Sequence, residues 1–436
     1  MYRATDSLAY LTPLTPGDRA GTGGVIKERP EDFLVEEQPL YEPCGNGEHL
    51  YLFIEKREQT TTDVIRRLAK MFHVHRSDIG YAGLKDKHAI ARQHFSIYLP
   101  DRKNDEKYLS RIAFTNFKLL WSTRHTNKLR RGHLAGNRFI IYIRQVQPTA
   151  VIHAKRTLDQ LVSQGVPNYL GDQRFGYRQN NHLLGAYYLR GQWKEFLDEL
   201  LGKPGDHDPP ERHEARHAYE RGEFAAALEP WPRMFRHDRQ ALDALRQGKS
   251  PQQAVMAIDS LQREFVISSL QSAIFNQVLD RRIRDGLFEK LIAGDLAWKH
   301  DSRAVFAVDE ATAEQENSSD GRVSKHDVSP SGPMWGGGMT QPTGDPLTWE
   351  LDALKTMNIK ESNWQSDHQS APGARRPLRI FLRDPEIGAG LDEHGPYIRV
   401  AFELPRGSFA TMVLREIMKP CIDAPRGDTT FDNEED

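Results

Sequence analysis

The most informative stretch of this chain is Gly-Leu-Lys-Asp-Lys-His-Ala at residues 83–89. It follows a run with helical spacing at residues 60–72 and precedes a run with strand-like alternation at residues 93–99. Asp86 is therefore expected at the boundary between two elements. Because lysines flank this aspartate, their opposite charge favours its ionised form. An ionised, positioned carboxylate can act as a nucleophile or a base, whereas the alternative is a polar turn with solvated charges.

The surrounding sequence resembles a known family. Tyr-Ala-Gly-Leu-Lys-Asp-Lys-His-Ala at 81–89 is similar to the signature of the TruD-type tRNA pseudouridine synthases. Three distant stretches match the same family in the expected order: Ile-Lys-Glu-Arg-Pro-Glu-Asp-Phe-Leu-Val-Glu-Glu at 26–37, Asn-Tyr-Leu-Gly-Asp-Gln-Arg-Phe-Gly at 168–176, and Leu-Pro-Arg-Gly-Ser-Phe-Ala-Thr-Met-Val-Leu-Arg-Glu at 404–416. A shorter match, Gly-Asn-Arg-Phe, lies at 136–139. One match alone would be weak, but the ordered set is specific.

Length and composition are typical of a soluble globular protein. The chain has 436 residues, of which 38% are hydrophobic and 28% charged. This length favours two domains. No apolar run approaches the ~20 residues that cross a bilayer, and residues 1–12 do not resemble a signal peptide. Because only Cys44 and Cys421 are present and neither belongs to a Cys-x-x-Cys pair, we expect a cytoplasmic protein.

The distribution of charge is more informative than the net charge of −2. Residues 121–144 contain no Asp or Glu but six basic residues: Arg124, Lys128, Arg130, Arg131, Arg138 and Arg144. Such a region can bind phosphates even on a near-neutral protein, and the alternative is a solubilising basic face. We take Arg130, Arg131 and Arg138 as candidates for contacts with the RNA backbone. Residues 425–436 are expected to form an acidic flexible tail.

The order of predicted elements indicates one domain inserted into another. Strand and helix patterns mix in the first third of the chain, and residues 183–300 are mostly helical. Strand alternation returns at 378–382 and 398–404, before a final helix whose apolar face carries Phe409, Met412, Val413 and Ile417. In the first third we predict strands at 49–57, 93–99 and 139–146, and helices at 60–72 and after Pro148. Insertions of this kind are tolerated at surface loops.

The resemblance implies the same layout. It predicts an α+β fold in which a discontinuous pseudouridine-synthase catalytic domain with a central mixed sheet is interrupted by a mainly helical, family-specific insertion. We assign residues 1–167 and 377–424 to the catalytic domain and residues 168–376 to the insertion. Residues 309–346 are poor in apolar side chains and predict a long mobile loop. An exposed tryptophan in that loop, Trp335, would need a binding partner.

The resemblance also implies a reaction, the isomerisation of uridine to pseudouridine in tRNA, with uridine 13 of the D-arm as the expected target. The C1′–N1 bond breaks and a C1′–C5 bond forms without any redox change, so we expect no metal and no organic cofactor. The catalytic aspartate of the family falls at Asp86, which either attacks C1′ or removes a C2′ proton. We expect tRNA as the partner, no membrane association and no obligate protein partner.

Several other residues are expected near the substrate. Lys27 has a family counterpart near the active site and would orient Asp86 or bind phosphate, although it could also be an exposed strand-edge lysine. Phe33, in the same stretch, is a further candidate for substrate binding. Lys85 is ambiguous, because adjacent side chains often point apart. Ala91 stands where the family commonly has threonine, which puts one supporting hydrogen bond in question.

A base inside folded RNA must be turned out before it can react, and stacking on an aromatic ring returns ~1–3 kcal/mol. Phe139 is our candidate for that ring, and the alternative is a core phenylalanine at the start of a strand. Asn137 would hydrogen-bond the uracil edge or hold the Asp86 loop. Gln173 and Arg174 would bind the RNA backbone or brace the junction between the domains.

Other functions remain open from the sequence. A non-catalytic RNA-binding protein with the same fold is the main alternative, although RNA binding alone gives no reason for a carboxylate at position 86. A nucleoside hydrolase is a second alternative, and product analysis separates the three. His73 and His75 lack a third metal ligand at a recognisable spacing. Residues 336–338 lack the lysine and the serine or threonine of a phosphate-binding loop.

Overall fold

A computed structural model describes residues 12–15, 21–112, 115–205, 208–365 and 371–419. Cys421 and the acidic tail expected at 425–436 lie outside these ranges. The chain forms two compact units, which we call the helical unit (residues 12–14 and 167–379) and the sheet unit (residues 15–166 and 380–419) within the described ranges. The chain passes between them at 14/15, 166/167 and 379/380. The last two crossings lie beside the predicted boundaries of 167/168 and 376/377, whereas the first was not predicted. The catalytic and insertion roles of these units stay predictions.

The secondary structure alternates in the sheet unit and is mainly helical in the helical unit. The strands, in chain order, are β1 Phe33–Pro39, β2 His49–Arg57, β3 Ile79–Tyr81, β4 Ile90–Tyr98, β5 Phe117–His125, β6 Leu134–Arg144, β7 Val166–Pro167, β8 Leu296–Lys299, β9 Val305–Ala307, β10 Val328–Met334, β11 Ala374–Pro377, β12 Arg379–Ile380, β13 Arg383–Asp392 and β14 Gly395–Pro405. The helices are α1 Thr61–Phe72, α2 Asp105–Ile112, α3 Val151–Gln164, α4 Asn181–Leu189, α5 Trp193–Leu201, α6 Pro210–Glu220, α7 Phe224–Leu228, α8 Arg236–Arg246, α9 Pro251–Met256, α10 Ser260–Arg284, α11 Glu310–Glu316, α12 Gly344–Thr356 and α13 Ala410–Met418.

The sheet unit is built on a mixed sheet of eight strands in the order β13-β14-β6-β1-β4-β2-β5, with β3 beside β4. Strands β1 and β4 run parallel, and the other neighbours run antiparallel. The carboxy-terminal hairpin β13–β14 completes the sheet by pairing β14 with β6 from Tyr397 to Pro405. The central mixed sheet confirms the expected fold class.

Helix α1 shows how the local sequence positions the loop at residues 82–89. The Thr60 side chain accepts a hydrogen bond from the backbone amide of Asp63, and the Asp63 carboxylate accepts one from the backbone amide of Thr60, so both amides are satisfied. Its buried face packs on the apolar side chains of β2 and β4; the residues of this cluster include Leu50, Leu52, Ile54, Val64, Ile65, Leu68, Phe72, Phe95 and Ile97. The helix therefore fixes the strands that border the loop at 82–89.

The strand expected at 378–382 does not form as a single element. Strand β12 covers Arg379–Ile380, and β13 begins only at Arg383. Leu378, Ile380 and Leu382 are nevertheless all buried, as their alternation indicates. The chain changes from one unit to the other between Arg379 and Ile380, so the apolar alternation belongs to two different packing environments.

The helical unit contains more ordered structure than the sequence predicts. Beside helices α4–α10 it holds a four-stranded sheet in the order β11-β10-β8-β9. The prediction of a long mobile loop at 309–346 is wrong, because this segment contains α11, β10 and the start of α12. Strand β10 lies between β8 and β11, where small residues fit: a Cβ at Gly332 would meet the side chains of Leu378 and Phe275.

Trp335, expected to be exposed, is 1% exposed. It packs in an apolar cluster with Phe175, Ile274 and Trp364. Its partner is therefore the core of its own unit, which composition alone could not reveal because the surrounding residues are small and polar. In the part of the chain that the structure describes, no helix is both long enough and apolar enough to cross a bilayer.

Candidate active site

Asp86 lies in the loop of residues 82–89 that connects β3 to β4. Its Oδ2 accepts a hydrogen bond from Lys27 Nζ at 2.7 Å, and the side chains of Lys27 and Asp86 are 28% and 39% exposed. The Lys27 ammonium also lies 4.5 Å from the ring centroid of Phe33, within cation–π range. The structure thus brings three of the predicted site residues together.

The backbone of Lys27 adopts an uncommon conformation at this point. Its φ angle is 58°, in the left-handed region that residues other than glycine rarely adopt. Such a conformation costs on the order of 1–2 kcal/mol and persists only where the surroundings fix it. The ion pair with Asp86 and the contact with Phe33 are two such constraints.

Lys85 points away from Lys27 and into the protein. Its Nζ donates to Glu37 Oε2 at 2.7 Å, and the side chains of this pair are only 5% and 1% exposed. Glu37 Oε1 accepts a hydrogen bond from the backbone amide of His94 at 3.2 Å and lies 3.1 Å from His94 Nδ1. Lys85 was predicted to bind substrate, and in this structure its ammonium is held by a buried carboxylate instead of facing solvent.

The electrostatics of Glu37 follow from these partners. Burial raises the pKa of Glu37, but the positive charge of Lys85 and the hydrogen bond from His94 lower it, and the net effect is a pKa below the ordinary value of 4.5. Glu37 is therefore an anion that the fold requires. The Glu37 carboxylate fixes the side chain of Lys85, the residue that precedes Asp86.

Buried side chains hold the backbone of the loop at residues 82–89. Lys56 is fully buried, and its Nζ donates to the carbonyl oxygens of Lys85 at 3.1 Å and Asp86 at 2.9 Å, and also to that of Gln59. Thr61 Oγ1 accepts from the amide of Lys85 at 3.0 Å. These bonds fix the backbone position of Asp86 from the interior of the sheet unit.

A second support reaches the start of the loop. Thr61 Oγ1 donates to Gln93 Oε1 at 2.9 Å, and Gln93 Nε2 donates to the carbonyl of Gly83 at 3.2 Å. Ala91 is fully buried two residues before Gln93 on β4. The Thr61 hydroxyl thus links the loop to Gln93 of β4, while Ala91 contributes no side-chain hydrogen bond there.

Sequence reasoning assigned no role to Lys56, Thr61 or Glu37, although alternation gave a signal for two of them. Lys56 follows Leu52 and Ile54 at a spacing of two, so it lies on the buried face of β2. Glu37 follows Phe33 and Val35 in the same way on β1. A charged residue in the buried phase of a strand requires a buried partner, and that rule would have drawn attention to both.

Phe139 and Asn137 lie two residues apart on β6, so their side chains share one face of the sheet. Phe139 is 8% exposed, and its ring lies 6.1 Å from Phe33 in an edge-to-face arrangement and 5.8 Å from Phe402. Asn137 is paired across the sheet with Glu37. Its side-chain oxygen is buried and accepts no hydrogen bond from any residue in the ranges that the structure describes. A buried acceptor without a donor is costly, and a ligand N–H would relieve that cost.

The predicted phosphate-binding arginines have different surroundings. Arg130 and Arg131 are exposed, and Arg131 donates to Tyr81 Oη at 2.6 and 3.0 Å while its guanidinium lies over the Tyr81 ring. Arg138 is instead paired with Glu386 at 2.6 Å and lies 3.5 Å from Glu403. Because two carboxylates already neutralise Arg138, it is a weaker candidate for an RNA contact than the other two.

Gln173 and Arg174 belong to the helical unit, where they lie in a short 3₁₀ helix, Asp172–Phe175. Gln173 is exposed and Arg174 is partly buried. The guanidinium of Arg174 lies 5.7 Å from the ring centroid of Phe265. Burial lowers the pKa of Arg174 below its ordinary value.

His73 and His75 have partners of another kind. His75 Nδ1 lies 2.7 Å from Ser77 Oγ and caps the turn that follows. Over the described ranges, no group of three or more His, Cys, Asp and Glu side chains is arranged to hold a metal ion.

Comparisons with known proteins agree with this geometry. The family model of tRNA pseudouridine synthase D (TruD) matches residues 14–417. The tRNA pseudouridine synthase D of Geobacter sulfurreducens is 40% identical over 423 residues, covering 96% of this chain and 98% of that protein. The protein of the same name from Geotalea daltonii is 40% identical over 411 residues, covering 94% of this chain and 100% of its own length.

The fold comparison gives the same answer. A crystal structure of a Methanosarcina mazei protein, described as a candidate tRNA pseudouridine synthase D (TruD), superposes with a TM-score of 0.79 at 27% identity. The match covers 94% of this chain and 96% of that one. With a family model over nearly the whole sequence, close relatives and a matching fold, this chain belongs to the tRNA pseudouridine synthase D (TruD) family.

Proposed function

We propose that this protein isomerises uridine to pseudouridine in tRNA, with Asp86 as the catalytic carboxylate and uridine 13 of the D-arm as its target. The observation that carries this proposal is the Asp86–Lys27 pair, in which a half-exposed carboxylate is oriented by an ammonium at 2.7 Å. The relatives from Geobacter and Geotalea are named for the same activity on tRNA. The choice of uridine 13 rests on the family resemblance alone.

The chemistry needs a carboxylate at the ribose and no further reagent. Asp86 either attacks C1′, forming an ester with the ribose as the C1′–N1 bond breaks and uracil leaves, or removes the C2′ proton, which forms a C1′=C2′ double bond as the C1′–N1 bond breaks. The detached uracil then turns and C5 bonds to C1′; this breaks the Asp86 ester in the first route, and in the second route the proton returns from Asp86 to C2′. In both routes the C5 proton leaves and N1 gains a proton, so the substrate and product have the same composition. Lys27 orients the Asp86 carboxylate by a charge-assisted hydrogen bond. Lys56 Nζ donates to the carbonyl oxygens of Lys85 and Asp86, which fixes the backbone of Asp86.

The detached uracil needs a surface and a hydrogen bond to prevent its escape. Phe139 offers a ring braced by Phe33 and Phe402. Asn137 offers a side-chain oxygen that accepts no hydrogen bond in the structure. We assign the first to stacking and the second to the imide N–H of uracil, since binding would satisfy an acceptor that is otherwise left without a donor.

The test is a direct map of pseudouridine in tRNA. Unmodified tRNA is incubated with the purified protein and with Asp86→Asn, and each uridine is then assayed for pseudouridine. We expect one modified position, uridine 13, with the wild type and none with the variant. Modification at another uridine would correct the target only. Release of free uracil would show a hydrolase instead, and tRNA binding without modification would show a binding protein.

A further inference from the structure

Arginines that are buried or partly buried on the strands of the eight-stranded sheet all have a carboxylate partner. In each case a guanidinium nitrogen lies 3.0 Å or less from a carboxylate oxygen; these residues are Arg92, Arg124, Arg138, Arg144 and Arg399. This is the usual arrangement, because a charge that leaves water is costly unless an opposite charge and hydrogen bonds compensate it.

Arg406 departs from this pattern. It lies in the turn directly after β14, in the stretch at 404–416 that matches the family signature but supplies no residue of the candidate site. The side chain is partly buried, and its Nη1 donates to the carbonyl oxygen of Gly132. Within the described ranges its guanidinium forms no ion pair and no second hydrogen bond, and its Nε and Nη2 atoms are not buried.

Backbone contacts fix the position of Arg406 in the sheet unit. Its amide donates to the carbonyl oxygen of Ala135 at 3.1 Å. Gly132 has a φ angle of 85°, in the left-handed region that favours glycine, and a Cβ at that position would lie 3.3 Å from Arg406 Nη1. The glycine therefore leaves room for the guanidinium, which is held by a carbonyl oxygen and not by a carboxylate.

The same glycine contacts the loop that carries Asp86. Its amide donates to the carbonyl oxygen of Ala82, the first residue of that loop, at 2.7 Å. On the other side of the turn, Leu404 of β14 pairs with Asn137, the candidate for uracil binding on β6. Arg406 thus lies between the Asp86 loop and the strand pair that carries Asn137.

The surroundings of this turn are cationic. Arg130 and Arg131 immediately precede Gly132, and both are exposed. The whole stretch at 121–144, which includes the turn, contains no Asp or Glu. An anion that approaches Arg406 therefore enters a region of positive potential.

We propose that Arg406 binds a backbone phosphate of RNA beside the loop that carries Asp86. Because Nη1 is held by Gly132, the edge of the guanidinium formed by Nε and Nη2 is left for a ligand, and that edge matches two phosphate oxygens with paired hydrogen bonds. Phosphates are the anions that an RNA substrate brings in number. The proposal rests on the proposed function, because it takes this RNA to be the substrate of Asp86.

A purely structural brace would respond differently to substitution. If Arg406 only supports the turn through Gly132, Arg406→Gln should lower the melting temperature and leave the salt dependence of tRNA binding unchanged. If Arg406 binds phosphate, the same change should reduce that salt dependence, because fewer counterions are released from the RNA. Arg406→Lys separates the two roles further, because it keeps the charge but loses the planar pair of donors.

The experiment measures the dissociation constant for tRNA at several salt concentrations, for the full-length wild type, Arg406→Gln, Arg406→Lys and a control, Arg399→Gln. Arg399 lies on β14, has a side chain 31% exposed and pairs with Glu386 at 3.0 Å, so the control removes the same charge from a site that a carboxylate already neutralises. We expect Arg406→Gln to weaken binding about tenfold and to reduce the slope of log affinity against log salt by about one.

The control should match the wild type, and Arg406→Lys should keep the wild-type slope with an affinity between those of the wild type and Arg406→Gln. A wild-type slope in Arg406→Gln, with or without a lower melting temperature, would overturn the proposal. So would a loss of slope in Arg406→Lys as large as in Arg406→Gln, or an equal loss in the control. Arg406→Lys also keeps the test decisive if Arg406→Gln does not fold.

A second arm separates RNA from a small anion. Melting temperatures are recorded with and without inorganic phosphate. Phosphate that stabilises the wild type more than Arg406→Gln, with unchanged tRNA affinity in the variant, would show a site for a free anion and refute the RNA assignment. Because binding is measured apart from turnover, the result holds even if no pseudouridine forms. In the Asp86→Asn background, Arg406→Gln should cause the same loss of affinity and slope.

Discussion

Lys27 and Lys85 each hold a carboxylate at 2.7 Å, yet the two ion pairs have opposite surroundings. The side chains of Lys27 and Asp86 are 28% and 39% exposed, whereas those of Lys85 and Glu37 are 5% and 1% exposed. The two pairs meet in the chain itself, because Lys85 and Asp86 are adjacent. One face of the loop therefore offers a carboxylate to solvent, and the other anchors the loop in the protein.

The difference teaches that distance alone does not assign a role to an ion pair. An exposed pair contributes little to stability, so the Lys27–Asp86 pair is available for chemistry at small structural cost. Breaking a buried pair leaves a charge uncompensated and costs roughly 3–5 kcal/mol. We therefore expect activity to depend on the exposed pair and stability on the buried pair. Asp86→Asn and Glu37→Gln test this division between activity and stability directly, and changes at Phe139 and at Arg130 and Arg131 extend the test to other residues.

Asp86→Asn should have the largest effect. The change is nearly isosteric but removes the charge and the nucleophilicity, so turnover should fall by roughly 10⁴-fold or more, as when a catalytic nucleophile is removed. Single-turnover kinetics on unmodified tRNA would measure it. Thermal melts and tRNA affinity should stay close to those of the wild type, and turnover near the wild-type rate would end the assignment.

Glu37→Gln should mainly affect stability. It leaves the Lys85 ammonium buried without its anion, so the free energy of unfolding should fall by about 3 kcal/mol. Glu36→Gln is a matched control, because Glu36 is the neighbouring residue, is 29% exposed and pairs with Arg92. Chemical denaturation of both variants would decide the point. Equal losses for the two would remove the distinction between buried and exposed pairs.

The same pair predicts a pH dependence with a definite sign. The pKa of Glu37 in the folded protein lies below its ordinary value of 4.5, so its contribution to stability is complete above that pH and is lost as the pH falls through the folded-state pKa. The gap in melting temperature between the wild type and Glu37→Gln should therefore narrow below pH 4.5. A gap that widened in acid would contradict the assignment of the buried anion.

Phe139→Leu tests whether Phe139 stacks on the substrate uracil or only packs in the core. Phe139 is 8% exposed, and its neighbour Phe402 is fully buried. Phe402→Leu is therefore the control for core packing, and both changes should cost about 1 kcal/mol of stability. If Phe139 stacks on uracil, only Phe139→Leu should also lower turnover, by about ten- to a hundredfold. Equal turnover in the two variants would show that Phe139 serves the core alone.

The smallest effect is expected from Arg130 and Arg131, which lie in the exposed basic stretch. Changing both to alanine should weaken tRNA binding and reduce the salt slope by about one to two, with little change in turnover at saturating tRNA. The control is a double variant in which two other exposed basic residues, Arg102 and Lys103, are changed to alanine. Binding titrations at several salt concentrations would measure both. If both double variants show the same dependence of tRNA affinity on salt, Arg130 and Arg131 only solvate the surface and do not contact RNA.

The sequence predicted much of the sheet unit because its elements carry strong local signals. The strand at 49–57 has the predicted limits, and the helix predicted at 60–72 runs from Thr61 to Phe72 with Thr60 as its cap, since alternation and a threonine cap act over a few residues. Prediction failed at 309–346, where a central strand made of small and polar residues lacks an apolar pattern. Trp335 was misjudged for the same reason, because its burial depends on helices far away in the chain.

For the site, the sequence by itself determined Asp86 and its surroundings in outline. A carboxylate between lysines, at a boundary between elements and inside a family signature, made Asp86 the candidate catalytic residue, while an RNA-binding protein and a hydrolase stayed open as alternatives. Only the tertiary structure decided that Lys27 faces Asp86 while Lys85 turns to Glu37, and that Lys56 and Thr61 hold the loop. The reason is physical: which lysine meets which carboxylate depends on strand pairing between distant segments and on the burial that follows, and neither is encoded in the spacing of adjacent residues.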